Sequence, residues 1–443
     1  MDYSVNSLIA KGEFICSCGK KHSAHLKKAE IYPGAVKSLV PNVKELGGTR
    51  AYIVADENTF AVAGGAVTEE LNGAGIEYSI FCYGPERIEP DENTIGSAVL
   101  HFDEKADIII AVGSGVINDT CKILAGLTNL PYIVVGTAPS MDGYASSTSS
   151  VIRDSLKVSV NSKCPDVVIG DIDILSKAPY SMLLAGLGDM LAKYVSICEW
   201  RIGNIVTGEY YCEEVAKIIR AALKKCVDSA QGLKNRNPEA VRSVMEGMVL
   251  SGIAADYAGV SRPVSGVEHY FSHVWDMRYI EFGTPMDFHG TQCGIGTYLA
   301  SLGYEKLLTL EPDREKALAF AESFDDEKWF CQLEKHVGRA SEAMIEAASF
   351  STRYDRADHK IRVNNIIDNW DKIKEIIREE IPSSQSILSI LQSIDAPVSP
   401  ADIGIPVSET AITFRATRDI RDKYILSSLA WDLGVIDEIA SIY

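Results

Sequence analysis

Four side chains in this sequence have the right types to hold a cation between them. Asp189 follows Gly186-Leu187-Gly188 where an apolar, helix-patterned stretch begins. His269 and His273 stand four apart, which puts both on one face of a helix, and His289 comes next in Phe288-His289-Gly290. The chain contains 8 histidines, so three between 269 and 289 is a concentration that calls for a chemical reason. One carboxylate with two imidazoles makes a borderline-hard divalent site and leaves coordination positions for water or a carbonyl. Each residue alone has a plainer reading. A first-turn acid is a common cap, and an isolated histidine in an apolar helix is usually a core residue. Spacing does not say whether Asp189 reaches the histidines.

A second set of residues suits a dinucleotide. An apolar run, Ala106-Asp107-Ile108-Ile109-Ile110-Ala111-Val112, ends at Gly113-Ser114-Gly115 and continues as Val116-Ile117-Asn118-Asp119-Thr120-Cys121-Lys122. Glycines there let backbone approach a pyrophosphate, and the following helix offers free N–H groups and its positive dipole end. The full G-x-G-x-x-G pattern is absent, because Asp119 falls where a third glycine would help, and a glycine turn before a helix is often simple punctuation. Asp56 closes the earlier run Ala51-Tyr52-Ile53-Val54-Ala55 and could bond a ribose hydroxyl, favouring NAD over NADP, or could merely cap a turn. After Tyr132-Ile133-Val134-Val135 comes Gly136 and a polar loop, Thr137-Ala138-Pro139-Ser140-Met141-Asp142-Gly143-Tyr144-Ala145-Ser146. Long, hydroxyl-rich loops after a buried strand are where α/β sheets bind ligands.

The elements that must position these residues divide the chain in two. Continuous apolar runs separated by glycine turns and helical patterns predict a parallel sheet flanked by helices. From Tyr180 onward long helical patterns dominate, as in Glu213 to Leu233 and Glu239 to Ala258. The expectation is an α/β Rossmann-like domain over 1–177 and an all-α domain over 178–443, with the charged stretch Pro312 to Glu380 as its outer layer. The formal charge of -18 disfavours nucleic acid as a partner. No leader of a basic and then apolar kind opens the chain, and no apolar stretch is read as a membrane span. The 10 scattered cysteines read as reduced thiols of a cytoplasmic protein. Cys16, Cys18 and His22 are all zinc-type ligands, yet C-x-C-x3-H is only part of a site, so a structural β-hairpin is the expectation there.

These pieces together resemble the iron-alcohol-dehydrogenase and dehydroquinate-synthase-like superfamily, and within it the glycerol-1-phosphate dehydrogenases of the bacterial AraM-type branch. The residues carrying the resemblance are Cys16 to His22, Gly113 to Asp119, Thr137 to Ser146, Gly188-Asp189, Ser261-Arg262-Pro263-Val264-Ser265-Gly266-Val267-Glu268-His269 and His289-Gly290. Gly113-Ser114-Gly115 departs from the triple glycine of many relatives, and the charged segment after Leu310 matches least well.

The resemblance implies a dehydroquinate-synthase-like fold with metal ligation by Asp189, His269 and His289. It implies substrate contacts from Asp142, Asp189 and His273, with His273 and Asp142 in the chemistry. It implies NAD(H) or NADP(H) held by Gly113, Ser114, Gly115, Asn118, Asp119, Thr137, Ser140 and Ser146, with Asp56 near the adenosine ribose. The divalent metal would be zinc, nickel or iron. The reaction implied is reduction of dihydroxyacetone phosphate to sn-glycerol 1-phosphate in phospholipid synthesis; a homodimer is expected only because two-fold dimers are the commonest oligomers. Arg262 and Lys193 are the cations proposed for the substrate phosphate, although either could be a structural ion pair. Competing readings are a glycerol or polyol dehydrogenase on an unphosphorylated alcohol, a dehydroquinate-synthase-like cyclase, and a silent nucleotide-binding regulator.

Overall fold

The protein, seen in a computed structural model, is described for residues 3–154, 156–350 and 354–443. Its chain forms two compact units, Met1–Met190 with Glu214–Val260 and Leu191–Glu213 with Ser261–Tyr443.

In the first unit a short helix over Val5–Ala10 is followed by a small antiparallel hairpin, β1 (Phe14–Ile15) and β2 (Lys21–His22). Its centre is a parallel sheet of β3 (Lys28–Tyr32), β4 (Arg50–Asp56), β5 (Glu77–Tyr83), β6 (Ile108–Gly113), β7 (Tyr132–Gly136) and β10 (Val167–Asp171). A second hairpin, β8 (Thr148–Arg153) and β9 (Leu156–Asn161), lies between β7 and β10 in sequence. The spatial order is β3-β10-β7-β6-β4-β5, all parallel. The runs read from sequence as two-sided strands are the central ones, and every residue of β6 and β7 is buried. Edge strand β5 alternates in exposure, which is why its apolar signal is weak. Strands β5 and β6 lie on opposite sides of β4, so the winding direction reverses between β4 and β6. That reversal opens a crevice at the strands' carboxyl ends, where doubly wound sheets take ligands.

Helix α1 (Gly115–Thr128) follows β6, and α2 (Tyr180–Leu191) closes the sheet half of the sequence. The chain continues as α3 (Lys193–Val206), then α4 (Glu213–Ser229) and α5 (Pro238–Ala258). Pro238 opens α5 with Asn237 accepting the Glu239 and Ala240 N–H groups, a cap that sequence alone suggests. Helices α4 and α5 run antiparallel: Lys225 pairs with Glu246, and the Cys226 thiol donates to the Ser243 carbonyl at 3.2 Å. Both return to the sheet unit.

The second unit is helical throughout its described residues, with α3, α6 (Val267–Phe282) and α7 (His289–Leu307) beneath further helices to the C-terminus. A Cβ on Gly296 of α7 would lie 2.5 Å from the Glu268 carbonyl of α6, so only glycine lets the two backbones meet there. The charged stretch after Pro312 forms amphipathic helices such as Trp370–Glu380, which buries Ile373, Ile376 and Ile377.

Sequence reading found no membrane-length apolar stretch, but Tyr180–Val206 is one by length and composition. Its most apolar window is 83% buried inside the protein, so burial among protein side chains accounts for its composition.

Ile110, at the middle of β6 and fully buried, tests the sheet core. Ile110→Ala should cost about 2–5 kcal/mol in the denaturant transition of the sheet unit. Leu127→Ala, at an exposed α1 position, should cost less than about 0.5 kcal/mol. Equal costs would mean that β6 is not the packed centre.

Candidate dinucleotide and metal sites

Three turns meet at the carboxyl edge of the sheet. Asp56 ends β4, Gly113 ends β6, and Gly136 ends β7 opposite Gly113. A Cβ on Gly113 would stand 2.6 Å from the Ile117 Cβ, so a side chain there would push α1 away from the strand. Ser114 precedes α1 without capping it, so the helix's first N–H groups are left for a ligand such as a phosphate. Thr137 N–H donates to the Gly113 carbonyl at 3.2 Å and ties the polar loop to the glycine turn. Asp56 caps the short helix that follows, accepting the Thr59 N–H at 2.9 Å.

The polar loop is held from inside. Lys122 is completely buried in α1, pairs with Asp119 at 2.9 Å, and donates to the Gly143 carbonyl at 3.0 Å, the Ser146 hydroxyl at 3.1 Å and the Thr148 carbonyl at 2.6 Å. Asn118 Nδ2 donates to the same Gly143 carbonyl at 3.1 Å, while its Oδ1 accepts from the Tyr132 hydroxyl at 2.7 Å. Asn118, Asp119 and Ser146 therefore shape the loop. Ser140 is buried beside Pro139, and Thr137 at the loop's start is buried too. Lys122 went unnoticed in the sequence, although its i,i+3 spacing from Asp119 is the signal that finds it. Asp142 accepts the Ser251 hydroxyl at 2.8 Å and gives its N–H to one Asp189 oxygen at 2.9 Å. Asp189 is fully buried on the last turn of α2, not at a helix start, because its flanking glycines leave the helix unbroken.

In the second unit, His269 begins α6 and His289 begins α7. The His269 Nδ1 lies 2.8 Å from the Glu268 carboxylate, and the His289 Nδ1 lies 2.9 Å from the Ser272 hydroxyl. A ring whose Nδ1–H donates in this way turns its Nε2 lone pair outward, the arrangement of metal-binding histidines. The two rings meet edge to face at 5.0 Å, and His273, one turn along α6, stacks on His289 at 5.9 Å. Cys293, four residues after His289, brings its sulfur to 3.6 Å from His289 Nε2. One ligand atom from each of His269, His289 and Cys293 lies within 4.8 Å of the others. Burial alone would raise the Cys293 thiol, but the two imidazoles outweigh it and hold it below its usual value. Sequence reading missed Cys293, which the His-x3-Cys spacing on one helix face signals.

Behind His269 stand two buried acids. Glu199 of α3 accepts the Val267 N–H at 2.9 Å and the Leu426 N–H at 2.8 Å, fixing the start of α6. Burial and the neighbouring Glu268 push Glu199 up to about 8. Arg262 is buried with one guanidinium nitrogen on Glu209 at 2.6 Å and on the Glu199 and Tyr424 carbonyls, both at 2.9 Å. That is the structural ion pair foreseen as its alternative. Lys193 is likewise buried and donates to the Val264 carbonyl at 3.0 Å.

The profile of the iron-containing alcohol dehydrogenases matches residues 30–179. A glycerol-1-phosphate dehydrogenase [NAD(P)+] of Halalkalibacterium halodurans is 34% identical over 294 residues, 66% of this chain and 74% of the relative. The chain belongs to the glycerol-1-phosphate dehydrogenase family. The enzyme of the same name from Bacillus subtilis is 33% identical over 308 residues, covering 67% of this chain and 78% of the relative. Among solved structures, glycerol dehydrogenase from Schizosaccharomyces pombe shares the fold, with a TM-score of 0.60 at 17% identity over 94% of this chain and 90% of that one. The parallel sheet followed by a helical half is thus the fold of the iron-containing alcohol dehydrogenases.

For this glycerol-1-phosphate dehydrogenase family member, Glu199 predicts a pH signature. Its ordinary value is 4.5 and its folded value about 8, so between these the folded state binds the extra proton. Stability from this group is complete below the unfolded value and is lost as pH rises through the folded one. Glu199→Gln should flatten the fall in stability between pH 5 and 8 in denaturant titrations, whatever its own offset. An unchanged slope would remove Glu199 as the source.

Proposed function

We propose that this protein reduces dihydroxyacetone phosphate to sn-glycerol 1-phosphate with NADH or NADPH. The observation that carries the reading is a match at about a third identity across roughly three quarters of relatives that bear one enzyme name. Residues 1–177 serve as the nucleotide half, and 178–443 as the metal- and substrate-binding half. A soluble, cytoplasmic homodimer is part of the proposal.

Asp189, His269 and His289 are the proposed metal ligands. The donor chemistry supports this: two imidazoles with Nδ1 already engaged, and a fully buried carboxylate with one oxygen on a backbone N–H. A buried carboxylate is costly without a charge partner, and a cation supplies one. When bound, a divalent ion there is a Lewis acid toward the ketone oxygen of the substrate. The residues do the rest. Gly113 to Gly115, at the carboxyl edge of β6, donate backbone N–H groups to the pyrophosphate, with Thr137 of the polar loop beside them. Asp56 keeps one oxygen for a ribose hydroxyl while the other caps its helix. Asp142, fixed by Ser251, orients the substrate hydroxyl. His273, beside His289, passes the proton to the oxygen that receives it after hydride transfer. Arg262 serves the fold through Glu209, so phosphate recognition falls to other groups.

The deciding experiment follows NADH oxidation by metal-reconstituted protein on dihydroxyacetone phosphate, with chiral analysis of the product. The sn-1 isomer is expected. Turnover confined to dihydroxyacetone would favour the polyol reading, and no net NADH change would favour a cyclase. His289→Ala should lower turnover about 10³-fold or more, the loss of several kcal/mol of charge stabilisation. Asp56→Ser should shift preference toward NADPH, read as the ratio of kcat/KM for the two cofactors, because the carboxylate no longer repels a 2′-phosphate.

A further inference from the structure

The N-terminal hairpin holds a second cluster of ligand-type side chains that the reaction does not use. Phe14 pairs with His22 and Ile15 with Lys21. Cys16 N–H donates to the Lys20 carbonyl at 2.9 Å, and Gly19 N–H, at φ +84°, to the Cys16 carbonyl at 3.0 Å. The hairpin expected from sequence is present. Its tight turn also gathers Cys16, Cys18 and His22, one ligand atom of each lying within 4.8 Å of the others.

The geometry is that of a coordination sphere. Cys18 Sγ and His22 Nε2 are 3.4 Å apart. A thiolate at about 2.3 Å and an imidazole at about 2.0 Å from a tetrahedral zinc ion stand about 3.5 Å from each other. On the far side of the ring, His22 Nδ1 lies 2.5 Å from the Tyr257 carbonyl. Donating its Nδ1–H there leaves the Nε2 lone pair aimed at the sulfurs. The ring is locked by stacking on Tyr257 at 5.6 Å and by the Phe14 edge at 5.4 Å. His22 is 1% exposed and Cys16 6%, which excludes a solvated surface cluster.

Three ligands leave one to find, since structural zinc takes four. Helices α4 and α5 identify it. They pack on each other through Lys225 with Glu246 and Cys226 with Ser243. Position 212 stands immediately before α4, the neighbour of α5, and α5 carries the Tyr257 that holds His22. That position is a buried cysteine, Cys212.

We propose that Cys16, Cys18, His22 and Cys212 bind one structural zinc ion, separate from the metal of the reaction site. Three thiols and one imidazole form a soft set that selects zinc over the harder ions an Asp/His/His set accepts. Binding forms three Zn–S bonds and one Zn–N bond, releases three thiol protons, and changes no oxidation state. The ion fastens the N-terminal hairpin to the segment that leads into α4.

Native mass spectrometry and elemental analysis of the purified holoenzyme, under reducing conditions, should give two metal ions per chain. One should be zinc that a mercurial thiol reagent releases into a colorimetric chelator. Cys18→Ser and Cys212→Ser should each lose that one equivalent and keep the other, whereas His289→Ala should lose the other and keep the zinc. The exposed Cys331→Ser should keep both. X-ray absorption at the zinc edge of the His289→Ala protein should show three sulfurs and one nitrogen, a readout that needs no change at the hairpin. A single equivalent abolished by His289→Ala overturns the proposal. So does a zinc shell without sulfur, or a mass 2 Da low in the unreduced protein from a disulfide among these cysteines.

Discussion

Two imidazoles can face one cation only if each gives it an unprotonated nitrogen, and this requirement organises the helical unit. His269 meets it by donating Nδ1–H to Glu268, and His289 by engaging Ser272. Both partners sit on α6, and Gly296 allows α7 to approach α6 at the Glu268 backbone. Glu268 is completely buried, a costly placement for a carboxylate next to Glu199. The pair can share the region because burial and the neighbouring Glu268 hold Glu199 well above the ordinary carboxylate range.

The nucleotide half solves an opposite problem, since a ligand-binding loop must be polar on its outer face yet fixed. Lys122 fixes it from below with three donated hydrogen bonds and balances its own charge on Asp119. Because two of these bonds go to the loop's own groups and the third to Thr148 at the start of β8, the loop keeps its shape without spending the backbone N–H groups at the start of α1. Those remain for phosphate. The departure from a triple glycine at Ser114 is accommodated for the same reason: Ser114 precedes the helix at a negative φ of -119° and contributes no side-chain cap.

What was legible in the sequence follows burial. Strands β4, β6 and β7 stand out because both faces are covered and nothing polar interrupts them, while β5 and β3 lie at sheet edges and mix exposed with buried residues. Helices α4 and α5 match their predicted spans because capping and periodicity are local. The roles of long-range partners were not local, so they were missed. Arg262 looks like a phosphate ligand until Glu209, 53 residues away in sequence, is seen to hold it. Asn118 and Asp119, expected on the dinucleotide, also hold the polar loop and the strand after it, through partners 25 and 31 residues away. Asp189, expected at a helix start, lies within a continuous helical region because two glycines in a well-packed helix need not end it.

The two histidine-based clusters use one device with different partners, and the difference carries an argument about what each can do. His269 leans on a carboxylate, which would make the ring more basic and strengthen its bond to a metal that also polarises a substrate. His22 leans on a neutral backbone carbonyl, which fixes the ring without adding charge beside three sulfurs that already over-balance a divalent ion. The first arrangement tunes reactivity with a charge placed behind one ligand. The second holds geometry, and a carboxylate behind His22 would add a further negative charge in a buried place. The partner behind the ring, more than the ring itself, separates a metal that acts on a substrate from one that holds the chain.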